Sequence, residues 1–168
     1  SIDHLIKKIT KKTKAIMCVH ILGTSANMYE IKKIAKLHNL LIIEDTCESL
    51  GAKFNNKCLG TFGEFGTYSF YYSHQITSGE GGMIVCNDKS NYNIVKSLRS
   101  HGWSRDIVID NKIKKKFKKL DDRFLFINSG YNLRPTDIQA AIGLVELERY
   151  NENLDRRKTI FSTYEKAF

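Results

Sequence analysis

The chain has 168 residues, of which 42% are hydrophobic, and a mean hydropathy of −0.35, which together indicate a globular domain with its own core. No apolar run approaches the roughly 20 residues that cross a bilayer, and residues 1–8 lack a signal-peptide pattern, so no membrane partner is expected. Much of the net charge of +9 comes from the lysines of residues 112–119, a run that is typical of a solvated face and that could attract a nucleotide diphosphate. No nucleic-acid partner is predicted, because the sequence has no stacking or groove-reading motif beside this charge.

The first half of the chain alternates helical and strand patterns. Apolar residues recur at helical spacing over residues 2–10, and a continuous apolar run over 15–22 predicts a strand buried on both faces. A helix is predicted over about 27–38, followed by a second buried strand over 40–43 that leads into Asp45. A strand, a helix and a strand at this spacing form a βαβ unit, which implies parallel pairing.

Asp45 follows the second strand of this unit. Ligands of parallel sheets bind beyond the carboxyl ends of the strands, so the Asp45 carboxylate could meet a ligand there. The alternative is that Asp45 caps the turn that follows the strand. The spacing alone favours neither interpretation.

The second half of the chain contains further elements in a regular order. They are a small hairpin over 52–60 with its turn at Asn55 and Asn56, strands over 65–71 and 83–86, and a helix over 88–100 with Asp88 as N-cap. A polar basic loop over 103–123, in which a helix could form, and a long helix that Pro135 opens and that continues towards Phe161 complete the chain.

A glycine-rich turn joins the strands over 65–71 and 83–86 and carries His74. Polar side chains where two apolar strands end are a common location for chemistry, and an imidazole can move protons near neutral pH. Glu80 lies in the same turn, where it either faces a site or is exposed to solvent.

Five sequence blocks resemble, in the same order, signatures of the DegT/DnrJ/StrS family of pyridoxal-phosphate enzymes, which act on nucleotide-linked sugars. The blocks are residues 42–52, 66–71, 80–85, 98–102 and 130–141. The resemblance implies a fold-type I aminotransferase large domain, an α/β fold in which helices sandwich a mostly parallel sheet. It also implies that residues 1–168 are the central part of that domain, without the N-terminal segment and the small C-terminal domain of full-length members.

The resemblance implies pyridoxal 5'-phosphate or pyridoxamine 5'-phosphate as cofactor. The family's aspartate at the Asp45 position pairs with the pyridinium nitrogen and keeps it protonated, so that the ring can accept electrons. The resemblance also implies that Glu48 lies near the cofactor's phenolic oxygen, where many members have glutamine. Ser69 matches the phosphate-binding serine, and Asn132 matches an asparagine that reaches the phosphate of the neighbouring subunit, which implies a homodimer. Without the resemblance, Ser69 would be an ordinary strand serine and Asn132 a turn residue.

His74 stands five residues after Ser69, where most of the family has the Schiff-base lysine. Sugar 3-dehydratases of the family share this replacement. They remove the C3 hydroxyl of a 4-keto-6-deoxy sugar, and their histidine takes a proton from the cofactor's aminomethyl carbon. The alternative is a degraded copy in which the lysine was lost. No metal or iron–sulfur site is expected, because the four cysteines are widely spaced: Cys18, Cys47, Cys58 and Cys86.

The function implied by the resemblance is C3 dehydration of a nucleotide-linked 4-keto-6-deoxy sugar in lipopolysaccharide or polysaccharide biosynthesis, with an amino donor such as glutamate. One alternative is a sugar 4-aminotransferase, which needs a lysine; the nearest to His74 are Lys57 and Lys89. Another is an inactive fragment or a cofactor-free binding module. The cysteine pattern favours a reducing cytoplasm.

Overall fold

The computed structural model describes residues 1–105, 107–109 and 111–168, so Asp106 and Asp110 of the loop predicted over 103–123 lie outside the described residues. The helices are α1 (Ile2–Lys8), α2 (Met28–His38), α3 (Lys89–Arg99), α4 (Asn111–Lys116), α5 (Asp137–Glu148) and α6 (Tyr150–Ala167). The strands are β1 (Ala15–Val19), β2 (Leu41–Asp45), β3 (Lys53–Phe54), β4 (Lys57–Cys58), β5 (Phe65–Ser69) and β6 (Gly82–Val85).

Four strands form the main sheet in the order β1-β2-β5-β6. β1 pairs with β2 in parallel, β2 pairs with β5 in parallel, and β5 pairs with β6 antiparallel. Because α2 connects β1 to β2, the predicted βαβ unit and the mostly parallel sheet are confirmed. β3 and β4 form the separate hairpin predicted over 52–60, and Asn55 and Asn56 adopt the positive φ values of 47° and 62° that a tight hairpin turn requires.

Helix α2 packs on one face of the sheet and forms the core with it. The helix begins after Asn27, whose side chain accepts a hydrogen bond from the Glu30 N–H at 3.2 Å, and ends at Asn39 in the left-handed region with φ 52°. Its buried side chains pack against those of β1, β2 and the hairpin. The cluster comprises Ile16, Cys18, Met28, Ile31, Ile34, Ala35, Leu40, Ile42 and Leu59.

β1 buries one face only within the described part of the chain, and the prediction that this strand is buried on both faces is wrong. Cys18 is buried on the α2 side, whereas Met17 and Val19 are 62% and 53% exposed. Successive side chains of a strand point to opposite sides, so a helix on one side covers every second residue. The first strand is also shorter than predicted, because residues 21–23 form a 3-10 turn.

Glu44 is fully buried on the α2 side at the end of β2, where four hydrogen-bond donors surround its carboxylate. The backbone N–H groups of Gly60, Phe62 and Gly63 donate to it at 2.7, 2.6 and 2.8 Å. The ring Nε2 of His20 lies 3.3 Å from Oε2. The contacts attach residues 60–63 and the end of β1 to the end of β2.

His20 is also fully buried, and its second ring nitrogen has a partner. The Ala26 N–H donates to Nδ1 at 3.2 Å, so the ring proton resides on Nε2 and donates to Glu44. Gly60 can approach β5 closely because Gly66 has no side chain; a Cβ there would collide with the backbone of Gly60.

The C-terminal half differs from the predicted single long helix. Thr136 is the N-cap of α5 in a capping box with Gln139, so the helix begins after Thr136 and not at Pro135. A second helix, α6, follows after Arg149, and neither helix buries a residue within the described part of the chain. In the loop predicted over 103–123, α4 forms a short helix.

The N-cap predicted for α3 is confirmed, since the Asp88 side chain accepts a hydrogen bond from the Asn91 N–H at 2.9 Å. Among the described residues, none of the helices has the length and apolar character required to cross a membrane. In those same residues, no group of three or more histidine, cysteine, aspartate and glutamate side chains could hold a metal ion.

We expect Glu44→Gln to lower the free energy of unfolding by about 3 kcal/mol, measured by urea denaturation. In either orientation, the NH₂ group of the new amide faces backbone or ring N–H groups. In the unchanged protein these N–H groups donate hydrogen bonds to the Glu44 carboxylate. The matched control is Glu30→Gln, because Glu30 forms an exposed pair with Lys33. This control should change stability by less than about 0.5 kcal/mol, and equal effects of the two variants would contradict the importance of the buried contacts.

Candidate active site

The carboxyl ends of β2 and β5 lie side by side and bring Asp45 and Ser69 to one edge of the sheet. Asp45 is in register with Thr67, and Ser69 lies two residues further along β5. Residues two apart on a strand share a face, so the three side chains project from the side of the sheet opposite the α2 core. Strand spacings separate the Cα atoms of Asp45 and Ser69 by roughly 8 Å.

Asp45 shapes the turn after β2. Its Oδ1 accepts a hydrogen bond from the Cys47 N–H at 3.1 Å, and its carboxylate is half-buried. The predicted alternative in which Asp45 caps the turn after the strand is therefore confirmed. A ligand-binding role for the same carboxylate stays a prediction.

The Cys47 thiol is held neutral beside Asp45. Burial, then the hydrogen bond and the negative charge of Asp45, raise the pKa of Cys47 to about 11, while the nearby Thr67 hydroxyl opposes this rise. A thiol rather than a thiolate is therefore present at neutral pH, which makes Cys47 a poor nucleophile.

Glu48 connects the segments that follow three different strands. Its Oε2 accepts a hydrogen bond from the Leu22 N–H at 3.0 Å, in the 3-10 turn after β1, where Leu22 has a φ of 51°. Its backbone carbonyl accepts a hydrogen bond from Gln75 Nε2 at 2.5 Å, in the loop after β5. Sequence reasoning missed both partners; the only signal for Gln75 was its position directly after His74.

His74 lies in the loop between β5 and β6 and is half-buried. Its backbone N–H donates to the Tyr71 carbonyl at 3.1 Å, and the two rings lie 6.2 Å apart between centroids. Ser69 contributes to the same loop, because its Oγ accepts a hydrogen bond from the Tyr71 N–H at 3.2 Å. Glu80 is exposed to solvent, which is one of the two positions predicted for this residue.

Asn132 lies apart from the other predicted site residues. It forms an isolated antiparallel bridge with Ser100, and its side chain is exposed. No hydrogen bond or ring contact between described residues links it to Asp45, Glu48 or His74. Its assignment to the site of a neighbouring subunit stays a prediction.

The structure thus gathers a carboxylate, a hydroxyl and an imidazole around adjacent strand ends. A carboxylate can pair with a protonated ring nitrogen, a hydroxyl can donate to a phosphate, and an imidazole can accept or release a proton. Asp45 and Ser69 present different polar groups on one face of the sheet, which suits a ligand that carries a ring nitrogen at one end and a phosphate at the other.

Comparison with known proteins gives matches along the whole chain. The model of the DegT/DnrJ/EryC1/StrS aminotransferase family matches residues 1–168. A GDP-4-keto-6-deoxy-D-mannose 3-dehydratase of Escherichia coli O55:H7 is 43% identical over 150 residues, which are 88% of this chain and 39% of the relative. A GDP-perosamine synthase of Escherichia coli O157:H7 is 39% identical over 166 residues, which are 99% of this chain and 42% of the relative.

A solved structure of GDP-4-keto-6-deoxymannose-3-dehydratase with a trapped PLP-glutamate geminal diamine aligns with a TM-score of 0.79 and 42% identity, over 90% of this chain and 40% of that chain. The fold-type I aminotransferase architecture is therefore confirmed. The chain spans about two fifths of the length of the curated relatives that it matches.

The neighbourhood of Cys47 can be tested by thiol labelling with iodoacetamide at pH 8. A pKa of about 11 leaves about one Cys47 thiol in a thousand ionised, so labelling should be far slower than at exposed Cys58. Asp45→Asn should accelerate the labelling of Cys47, because it removes a negative charge that raises the pKa. The rate at Cys58 should not change; an equal acceleration at both cysteines would instead indicate general loosening of the fold.

Proposed function

Because the chain belongs to the DegT/DnrJ/EryC1/StrS aminotransferase family, we propose that it forms part of an enzyme that removes the C3 hydroxyl of a nucleotide-linked 4-keto-6-deoxy sugar. The enzyme would use pyridoxamine or pyridoxal phosphate. Two relatives named as GDP-4-keto-6-deoxy-D-mannose 3-dehydratases, at 43% and 36% identity, support this substrate class.

The observation that carries the proposal is the imidazole of His74 on the loop between β5 and β6. An aminotransferase of this family needs a lysine amine at that position to hold the cofactor covalently. The sequence has no lysine between Lys57 and Lys89. An imidazole can transfer protons but cannot replace the amine, so the loop suits dehydration better than transamination.

The residues at the strand ends fit this cofactor in chemistry and in arrangement. Asp45 would pair with the pyridine nitrogen, and the Ser69 hydroxyl would donate to the phosphate. When bound, the cofactor supplies an amine for the sugar's keto group and an electron-accepting ring. The Asp45 and Ser69 side chains lie on the sheet face opposite α2.

His74 would perform the proton transfers. A ring nitrogen of its imidazole would accept the proton that the dehydration removes and could return it to the C3 hydroxyl, which would leave the sugar as water. Glu48 would contribute a carboxylate near the ring's phenolic oxygen while the Leu22 N–H holds it.

The remaining partners follow from the family and from the named relatives. We propose glutamate as amino donor, supported by the PLP-glutamate geminal diamine that is trapped in a similar dehydratase structure. We also propose a homodimer in which Asn132 reaches the neighbouring subunit's site, and a cytoplasmic location. A role in lipopolysaccharide biosynthesis is proposed as well, and the name of a 40% identical Salmonella typhimurium relative, a lipopolysaccharide biosynthesis protein, supports this role.

A sugar 4-aminotransferase is the second candidate, because GDP-perosamine synthases are 39% and 40% identical to this chain. The reaction product distinguishes the two candidates. Incubation of the intact protein with pyridoxamine phosphate and a GDP- or dTDP-linked 4-keto-6-deoxy sugar should yield a 3-deoxy sugar. An amino sugar as the main product would refute dehydration and support the second candidate.

We expect His74→Asn to reduce formation of the 3-deoxy sugar by at least about 100-fold, because the variant has no group that can move the proton. His74→Lys is the matched control. Borohydride treatment with pyridoxal phosphate should attach the cofactor at residue 74 in this variant and not in the unchanged protein, as peptide mapping would reveal. Full dehydratase activity of His74→Asn would refute the role of His74.

A further inference from the structure

The loop that carries His74 is closed at its base by Phe70. The Phe70 carbonyl accepts hydrogen bonds from the Ser78 N–H at 2.9 Å and from the Thr77 hydroxyl at 3.2 Å. The Phe70 N–H donates to the Gly81 carbonyl at 2.8 Å. These contacts fix both ends of the loop to the strands, and residues 71–76 form the loop tip between them.

Gln75 attaches the loop tip to the neighbouring strand end. Its Nε2 donates to the Glu48 carbonyl, 27 residues away in sequence, at 2.5 Å. The other hydrogen bonds of the tip are local, such as that between the His74 N–H and the Tyr71 carbonyl. Within the described parts of the chain, no other hydrogen bond connects the tip to residues 45–49.

The Gln75 side chain is half-buried where the tip meets the neighbouring strand end. The Gln75 Oε1 is inaccessible to solvent and has no hydrogen-bond partner among the described residues. Of the two polar atoms of this amide, only Nε2 therefore has a partner among the described residues, which is the Glu48 carbonyl. The next residue, Ile76, is 7% exposed, so its side chain also turns away from solvent.

The imidazole of His74 makes no hydrogen bond within the described residues, and its ring contact is with Tyr71 of the same tip. The backbone of the tip therefore determines where the imidazole lies. We propose that Gln75 is a positioning residue for His74, which holds the imidazole at a fixed distance from the carboxyl end of β2, where Asp45 and Glu48 lie. This inference rests on the proposed function of His74 in proton transfer.

The test uses Gln75→Met and Gln75→Glu in the intact holoenzyme, with GDP-4-keto-6-deoxy-D-mannose as substrate. Methionine keeps the length of the side chain without a donor, and glutamate keeps the shape while it replaces the N–H₂ group by an acceptor. A misplaced imidazole should lower kcat roughly 10- to 100-fold, with KM and the affinity for pyridoxamine phosphate changed less than about threefold. Loss of deuterium from the aminomethyl carbon of the bound cofactor should slow by the same factor.

Thr77→Val is the matched control, because it removes two hydrogen bonds from the base of the same loop, one to the Phe70 carbonyl and one from the Gly79 N–H, and leaves the Gln75 contact intact. Its kcat should stay within about threefold of the unchanged protein. The thermal midpoint of each variant is measured with cofactor bound, so that a loss of folding is seen separately from a loss of proton transfer.

An unchanged kcat in both Gln75 variants would overturn the positioning role. A parallel loss of kcat, cofactor affinity and thermal midpoint, or failure of both variants to fold, would also overturn it and assign Gln75 to stability. The proposed function fails separately: it fails if His74→Asn retains activity, whatever the Gln75 variants do. Loss of activity in His74→Asn with normal Gln75 variants would refute this inference alone.

Discussion

The arrangement of the strand ends depends on the burial of one carboxylate, that of Glu44. A buried charge is unfavourable unless donors surround it, and Glu44 has three backbone N–H groups and the ring of His20. These donors come from the end of β1 and from residues 60–63. The requirement to satisfy Glu44 thus joins three segments of the chain, and the next residue, Asp45, projects from the opposite side of β2.

The two faces of the sheet consequently serve different purposes. The face towards α2 is closely packed and, apart from the Glu44 carboxylate at the end of β2, apolar, with Met28 fully buried and Ile42 5% exposed. The other face has exposed apolar residues along β1 and polar groups at the carboxyl ends of β2 and β5. A core on one side makes the strand ends rigid, and rigid strand ends can present Asp45 and Ser69 in a constant relation to each other.

The local elements were predictable because their signals are local. The hairpin turn at Asn55 and Asn56 and the N-cap at Asp88 follow from side chains that bond or bend their own backbone. The predicted start of α5 was wrong because the Thr136 capping box, and not Pro135, determines where the helix begins. The prediction that β1 is buried on both faces was wrong, because an apolar run cannot indicate whether a second layer covers the strand.

Residue identity and spacing are properties of the chain, so the amino-acid sequence alone establishes the family, through five ordered blocks, and the replacement of a lysine by His74. Which residues meet depends on the fold. The register of β2 on β5 places Asp45 and Ser69 on one face, and the loop after β5 brings Gln75 to the Glu48 carbonyl. Strand register and loop docking result from packing and hydrogen bonding between distant segments, which spacing along the chain does not encode.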